Sequence, residues 1–101
     1  MRSHEIEQIM VAVRPSRGER VVVFLAPGAG HLAVVASRKV GGAVQRNRAR
    51  RILRAAWREV SSTAAGWDAV LVARAPIAGA TTGELVAEMS ELVRRGVEPG
   101  A

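Results

Sequence analysis

The sequence contains no cysteine, only two histidines and no long apolar run. Without cysteine the chain forms no disulfides, thiolate nucleophiles or cysteine-based zinc sites, which fits a reducing compartment. A helix that crosses a bilayer needs roughly 18 or more consecutive apolar residues, and no such run occurs. The first eight residues are charged and polar, and no signal-peptide core follows them. We therefore expect a cytoplasmic protein.

Few residues suit acid–base or metal chemistry. A protein that cleaves a phosphodiester bond with its own side chains, without a metal ion, needs a histidine or a pair of carboxylates close to that bond. The two histidines are not placed for this role, because His4 lies near one end of the chain and His31 near a turn. Three acidic residues at helical spacing are typical of a solvated helix face: Glu84, Glu88 and Glu91. The Pro-Gly-Ala-Gly turn at 27–30 lacks the Gly-Lys-Ser/Thr ending of a phosphate loop. The sequence thus predicts neither catalytic residues nor a metal site.

Arginine, in contrast, is abundant. It supplies 14 of the 15 basic side chains, Lys39 being the exception, and the formal net charge is +6. Residues 38–58 hold eight basic side chains and no acidic one, whereas the rest of the chain holds seven basic and nine acidic ones. A positive segment this concentrated is typical of a polyanion-binding surface, and guanidinium groups bond phosphate bidentately.

The length of 101 residues suits one compact domain, 1–101, with a flexible tail over 96–101. Hydrophobic spacing and turn residues predict helix, strand, strand, helix, strand, helix, with Ser3 and Thr81 or Thr82 as helix caps. The predicted ranges are 5–13, 20–26, 32–37, 43–60, 68–74 and 82–95. The first two strands are expected to form a hairpin. This order predicts an α/β two-layer sandwich: one mixed sheet of three to four strands and three helices.

The helix predicted at 43–60 separates charged from apolar side chains. At about 100° per residue, six arginines lie on or beside the face centred near Asn47: Arg46, Arg48, Arg50, Arg51, Arg54 and Arg58. The apolar side chains lie opposite: Ala49, Ile52, Leu53, Ala56 and Val60. Solvated helix faces usually mix signs because like charges repel, yet no acidic residue occurs here before Glu59. The pattern therefore indicates a face that binds an anionic partner.

Residues 37–54 read Ser-Arg-Lys-Val-Gly-Gly-Ala-Val-Gln-Arg-Asn-Arg-Ala-Arg-Arg-Ile-Leu-Arg. This segment resembles the bacterial ribonuclease P protein, whose signature has two basic residues, a Gly-Asn-Ala-Val-like turn, Arg-Asn-Arg, and a basic helix ending in an aromatic. Trp57 stands where that aromatic usually lies. More loosely, residues 67–74 and 82–95 resemble the family's third main strand and terminal helix. The resemblance implies the family's α/β sandwich with a left-handed crossover, whereas general chirality favours a right-handed one.

The resemblance also implies a function. Members of the family join a large catalytic RNA that removes 5′ leaders from precursor tRNA, and the RNA performs the hydrolysis with Mg²⁺ that it mainly binds itself. The protein contacts that RNA and the single-stranded leader. By position, the RNA contacts would be Arg38, Lys39, Arg46, Asn47, Arg48, Arg50, Arg51 and Arg54, and Arg58 is added to them because it lies on the same charged face of the helix. The leader cleft, between the first helix and one sheet face, would be lined by Ile6, Met10, Val22 and Phe24.

The chain departs from the family pattern at three places. The first helix offers Ile6 and Met10 where the family usually has aromatics, and base stacking on an aromatic contributes roughly 1–3 kcal/mol. We therefore expect weaker stacking on the leader, with Phe24 as the main platform, although Ile6, Met10 and Val22 could equally be core residues. Gly42 replaces the usual asparagine, and the N-terminal segment lacks the usual basic run.

Other partners fit these residues less well. A generic RNA-binding module, such as a ribosomal protein, would share the basic helix without the Arg-Asn-Arg context, and it stays the alternative. Duplex DNA recognition would want a helix-turn-helix pair, whereas strands flank the basic helix. A membrane-surface helix would need a free apolar face, which the strands can cover here. We therefore expect no DNA or membrane partner.

Overall fold

A computed structural model describes residues 1–98, which form three α-helices and four β-strands. Their bounds are α1 Ser3–Ala12, β1 Ser16–Arg17, β2 Val21–Pro27, β3 Leu32–Val35, α2 Ala43–Val60, β4 Trp67–Ala73 and α3 Thr82–Val97. Short 3-10 segments, Ser61–Ala64 and Ala75–Ile77, lie on either side of β4. The predicted helices and strands all form in the predicted order, and the basic helix α2 has the predicted bounds.

Several ends of helices and strands differ from those that the sequence pattern predicts. β1 has two residues, and the hydrophobic pattern does not predict it. Ser3 is the first helical residue of α1 and not its cap, because Arg2 holds the cap position and makes no side-chain bond. α3 continues to Val97, past the predicted end at residue 95. Residues 99–101 of the predicted flexible tail lie outside the described residues.

The strands form one mixed sheet in the order β1-β2-β4-β3. β4 pairs antiparallel with β2 and parallel with β3, so the predicted β2–β3 hairpin is wrong. The reason lies in β4, whose residues Ala69, Val70 and Leu71 are fully buried on both faces of the sheet. A strand that is apolar on both faces is most stable in the middle of a sheet. α2 forms the crossover from β3 to β4, and the left-handed sense of that crossover stays a prediction.

The loop between β2 and β3 is held by β4 instead of closing a hairpin. Asp68 Oδ1 accepts hydrogen bonds from the backbone N–H groups of Gly30, at 3.1 Å, and His31, at 2.8 Å. Partial burial acts to raise the pKa of Asp68, but these donors and the nearby imidazole outweigh it and lower the pKa below its ordinary value. The loop between β2 and β3 is therefore hydrogen-bonded to Asp68, the second residue of β4.

The main core lies between one face of the sheet and helices α2 and α3. Its fully buried side chains include Leu53, Leu71, Ile77, Leu85, Met89 and Leu92. Burying one such side chain contributes roughly 1.5–3 kcal/mol. This core fixes both helices relative to the sheet and gives the predicted sandwich of sheet and helices.

α1 lies on the opposite face of the sheet, over a smaller apolar cluster. The buried sheet residues of this cluster are Val22, Phe24, Ala33 and Val70, and Ile6, Ile9 and Val13 pack against them. No residue of α1 itself is buried, so the helix covers this face only in part.

Candidate RNA-binding surface

The apolar face of α2 sets the direction of its charged face. The buried residues of the helix are Ala49, Leu53, Ala56, Trp57 and Val60, and Ile52 packs at their margin. This confirms the predicted apolar face and adds Trp57 to it. Because these side chains are packed against the sheet and α3, the opposite side of α2 lies in solvent.

Three arginines on that side, Arg51, Arg54 and Arg58, are exposed and are called the Arg face here. Within residues 1–98, none of them makes a hydrogen bond or an ion pair with the protein. Glu59, the one acidic residue of α2, pairs with none of them. Adjacent cations repel one another by a few tenths of a kcal/mol per pair. A bound anion would relieve this repulsion.

Arg46 and Arg48 are half-buried and differ from the Arg face because each is tied to a backbone carbonyl. Arg46 Nη1 donates to Gly41 O at 3.0 Å, and Arg48 Nη2 donates to Ala80 O at 2.7 Å. A guanidinium has five N–H donors, so most of each group stays available to a phosphate. These two tethered arginines are held in place before any partner arrives.

The remaining predicted RNA contacts lie on α2 and in the turn before it. Arg38 and Lys39 are exposed, and the exposed Asn47 accepts a 2.7 Å hydrogen bond from half-buried Arg50. Of the nine predicted residues, six are exposed and three are half-buried. All nine lie in one segment of the sequence, residues 38–58, and none of them is buried in the structure. Their contact with RNA stays a prediction.

α2 begins without a side-chain cap. Gly42 holds the cap position, and Gly41 before it has φ +143°, a conformation that favours glycine. Val40 is buried and anchors this turn. The first N–H groups of α2 thus have no side-chain acceptor, which leaves a positive helix end next to Lys39.

The predicted leader cleft forms only in part. Ile6, Val22 and Phe24 do meet beneath α1. Met10 does not join them and is 37 % exposed, because the partly buried side chains that face the sheet are Ile6 and Ile9 of α1 and Val13 just after it. Phe24 is only 8 % exposed, so its ring is available to a base only if α1 moves aside. In this arrangement Ile6, Val22 and Phe24 act as core residues.

An open cavity of about 500 Å³ lies beside this cluster, at the ends of β3 and β4. Its lining includes Ser37, Lys39, Val72, Arg74 and Pro76. Val72 belongs to the cluster beneath α1 and Ala73, which also lines the cavity, belongs to the main core, so the cavity lies at the end of the sheet and borders the α1 face at Val72. The sequence analysis missed Arg74. The signal was present, since alternation along β4 places residues 70, 72 and 74 on one face.

Comparison with known proteins accounts for both the fold and the basic segment. The family model for ribonuclease P matches residues 1–96. This chain belongs to the ribonuclease P protein family. The ribonuclease P protein component of Dehalococcoides mccartyi strain 195 is 36% identical over 87 residues, which span 83% of this chain and 72% of that protein. The component of Pseudomonas aeruginosa is 37% identical over 62 residues, which span 61% of this chain and 46% of that protein.

Solved structures of ribonuclease P proteins share the fold. The Staphylococcus aureus protein superimposes with a TM-score of 0.81 at 21% identity and covers 96% of this chain and 93% of its own. The Thermotoga maritima protein gives a TM-score of 0.80 at 21% identity, with 94% of each chain covered. The resemblance carried by the Arg-Asn-Arg segment is therefore confirmed at the level of family and fold. Among residues 1–98, no helix is long and apolar enough to cross a membrane.

Proposed function

We propose that this protein is the protein subunit of a ribonuclease P and binds the catalytic RNA of that complex through α2. The observation that carries the proposal is the Arg face, three exposed arginines without partners among the described residues. Phosphate oxygens of the RNA would pair with these arginines. The counterions that the RNA then releases would gain entropy and favour binding. Arg46 and Arg48 would then contact phosphate from fixed positions, at a smaller entropic cost than free side chains.

The single-stranded 5′ leader of precursor tRNA is the second proposed partner, and we place it along the sheet face beside α1. The cavity at the end of that face combines the cations Lys39 and Arg74 with the apolar side chain of Val72. Cations suit the phosphates of a single strand, and an apolar surface suits the faces of its bases. This path runs beside Phe24 and does not require its ring to be exposed.

Hydrolysis of the phosphodiester bond is assigned in this proposal to the RNA and its Mg²⁺. Mg²⁺ takes oxygen ligands in octahedral geometry, whereas the Arg face offers guanidinium groups. The amide oxygen of Asn47 already accepts a bond from Arg50. These residues do not fit a magnesium site, so no step of the reaction is derived through them. The protein's part is to bind, to neutralise phosphate charge and to hold the leader.

The decisive test is cleavage of precursor tRNA at low Mg²⁺ by the cognate catalytic RNA, with and without this protein. We expect the protein to stimulate cleavage several-fold at low Mg²⁺, and the RNA alone to need more Mg²⁺ for the same rate. Adding the protein without the RNA should give no cleavage. Cleavage by the protein alone would contradict the assignment of the chemistry to the RNA.

The alternative is a generic RNA-binding module, comparable to a ribosomal protein. Such a module would bind many structured RNAs tightly at low salt and leave precursor-tRNA cleavage unchanged. Tight, salt-dependent binding without stimulation of the cognate RNA would therefore favour this alternative over a ribonuclease P subunit.

A further inference from the structure

The turn that precedes α2 contains two glycines, and the side chain of Gln45 lies over both of them. A Cβ atom at Gly41 would lie 2.9 Å from Gln45 Cβ and 3.1 Å from its Cγ, and a Cβ atom at Gly42 would lie 3.2 Å from its Oε1. Any side chain at residue 41 would therefore displace Gln45, in addition to being strained at a φ of +143°. The bare backbone of this turn is what allows Gln45 to lie there.

Hydrogen bonds hold the backbone beneath Gln45. The N–H group of Gly41 donates to Arg38 O at 3.1 Å, and the carbonyl oxygen of Gly41 accepts a 3.0 Å bond from Arg46 Nη1. Val40, next to Gly41, is buried. Gly41 is thus held at both of its polar backbone groups, with the Arg46 guanidinium at its oxygen and Gln45 over its Cα.

The amide of Gln45 is free to bind a partner. The residue is exposed, and its side chain makes no hydrogen bond within residues 1–98. Residues 38–58 contain one other side-chain amide, that of Asn47, whose Oδ1 already accepts a bond from Arg50. A primary amide has one acceptor oxygen and two N–H donors. Gln45 is therefore the amide of this segment that offers its acceptor and its donors together.

Cations surround this amide. Arg46 follows Gln45 on α2 and bonds the same glycine over which Gln45 lies, and the exposed Lys39 belongs to the same turn. Cations that bind phosphate position a nucleic acid but do not identify it. A ribose 2′-hydroxyl, in contrast, is both donor and acceptor, as an amide is, and its presence distinguishes RNA from DNA.

We propose that Gln45 is a specificity-determining residue whose amide hydrogen-bonds a ribose 2′-hydroxyl of the catalytic RNA, next to a phosphate bound by Arg46. The inference rests on the proposed function, because this RNA is the partner proposed for α2. The edge of a base is the other group that an amide reads, but the neighbouring cations bind the sugar–phosphate backbone, which brings a ribose to this place. The arginines thus provide affinity, and Gln45 selects ribose over deoxyribose.

Gln45→Met tests the amide without removing the packing over Gly41. Methionine is unbranched like glutamine and has a similar helix propensity, but it lacks the amide. Affinity for the cognate catalytic RNA should fall about threefold to tenfold, as expected for one hydrogen bond between neutral groups. The slope of log affinity against log salt should stay the same, because no cation is lost. An unchanged affinity would overturn the inference.

The matched control is Gln8→Met. Gln8 is the other glutamine of the chain, and it lies exposed on α1, away from the basic helix. The same chemical change at this position should leave the affinity for the catalytic RNA unchanged. Equal weakening by the two variants would show that Gln45 has no special role. Thermal unfolding of both variants verifies that binding is measured on folded protein.

Interference mapping tests the contact with ribose itself. Catalytic RNA that carries 2′-deoxynucleotides at random positions is mixed with protein and separated into bound and free fractions. With the unchanged protein, deoxyribose should be depleted from the bound fraction at the nucleotide that Gln45 contacts. With Gln45→Met that depletion should disappear, whereas depletion at other positions should remain. Because the two proteins are compared on the same RNA, effects of deoxyribose on RNA folding cancel.

Two results of the mapping would overturn the inference. One is a pattern of 2′-deoxy depletion that is the same for both proteins. The other is a loss of interference from base-modified nucleotides instead, which would assign the amide to a base edge. The proposed function is tested separately by Arg51→Ala combined with Arg54→Ala. If this double variant weakens RNA binding and Gln45→Met does not, the inference alone fails; if neither does, both fail.

Discussion

α2 and α3 pack side by side on the same face of the sheet, but the charged side chains of α3 are mostly paired and those of the Arg face on α2 are not. In α3 the acids find cations: Glu84 and Glu88 pair with Arg20, and Glu91 pairs with Arg94 and Arg95. α3 also begins with a capping box between Thr81 and Glu84. α2 begins on Gly42 without a side-chain cap, and its Arg face has no partner among the described residues.

This difference shows which of the two helices has its charges paired and its first N–H groups capped by other groups of the protein. The acids Glu84 and Glu88 of α3 are neutralised by Arg20, which lies outside the helix. The capping box and the pairs of Glu91 with Arg94 and Arg95 lie within α3 and would stabilise it even in isolation. α2 lacks both devices and relies on its buried face for stability. We therefore expect α2 to be the helix that binds the proposed RNA partner.

The largest expected effect sharpens this comparison through RNA affinity. Arg51→Ala combined with Arg54→Ala should weaken binding to the cognate RNA by about a hundredfold or more, since each arginine loses a hydrogen bond to a charged group that contributes roughly 1.5–3 kcal/mol, and about 1.4 kcal/mol is tenfold. The slope of log affinity against log salt should become shallower by about 0.7–0.9 for each phosphate that the variant no longer neutralises. Filter binding across a salt series measures both quantities.

The matched control is Arg94→Ala combined with Arg95→Ala, which removes the same formal charge from α3. Because these arginines are paired with Glu91 and lie on the other helix, RNA affinity should change little. Equal weakening in the two double variants would mean that net charge governs binding and that the Arg face has no special role.

A second prediction compares how much a tethered arginine and an arginine of the Arg face contribute to the free energy of unfolding. Arg48→Ala leaves the carbonyl of buried Ala80 without its 2.7 Å partner, and an unsatisfied buried acceptor costs about 1–3 kcal/mol. Arg51→Ala removes an exposed side chain without a partner and should change the free energy of unfolding by no more than about 0.5 kcal/mol. Urea unfolding compares the two variants, and equal destabilisation would show that the Arg48 bond is not structural.

The smallest expected effect is on the stability of the protein at acidic pH. Hydrogen bonds from Thr81 and the charge of Arg20 lower the pKa of Glu84 below 4.5. A carboxyl whose pKa is lower in the folded state adds stability above its unfolded pKa, and that stability disappears as pH falls through 4.5 and below. Both groups are exposed enough for solvent and salt to screen the gain. Glu84→Gln should therefore flatten the acid side of the stability profile slightly.

The control for that profile is Glu59→Gln on α2, where the acid has no bond in the described part of the chain. Thermal unfolding between neutral and acidic pH should give the same acid slope for this variant as for the unchanged protein. A steeper or flatter slope would mean that α2 also depends on its acid for stability.

Much of the fold could be predicted because its signals are local. The alternation of arginine and apolar residues along α2 gives its bounds and both of its faces. The β2–β3 hairpin was wrong because nearness in sequence suggests pairing, whereas the doubly buried β4 competes for the same edges from later in the chain. Strand order depends on that competition, which no short window of sequence contains.

The candidate site divides in the same way. Helical spacing identifies the Arg face, but it does not reveal that Arg48 reaches Ala80, 32 residues away. The leader cleft was predicted by position within the family, and the structure buries Phe24 under α1 while opening a cavity next to Lys39. Glu88 looks solvated in the sequence because two of its partners, the N–H groups of Arg20 and Val21, belong to the backbone, which no side-chain pattern records.

The central place of β4 has a consequence for synthesis on the ribosome. β2 and β3 have no common partner until residues 67–73 are made, so we expect β3 to join the sheet only after β4, although β1 and β2 can pair earlier. Before that moment a nascent chain already carries the whole polybasic helix, but no core exists to orient it. Because the core that orients α2 includes side chains of α3 as well as β4, we expect the arginines to be held on one side of the protein only after both of these elements have been made.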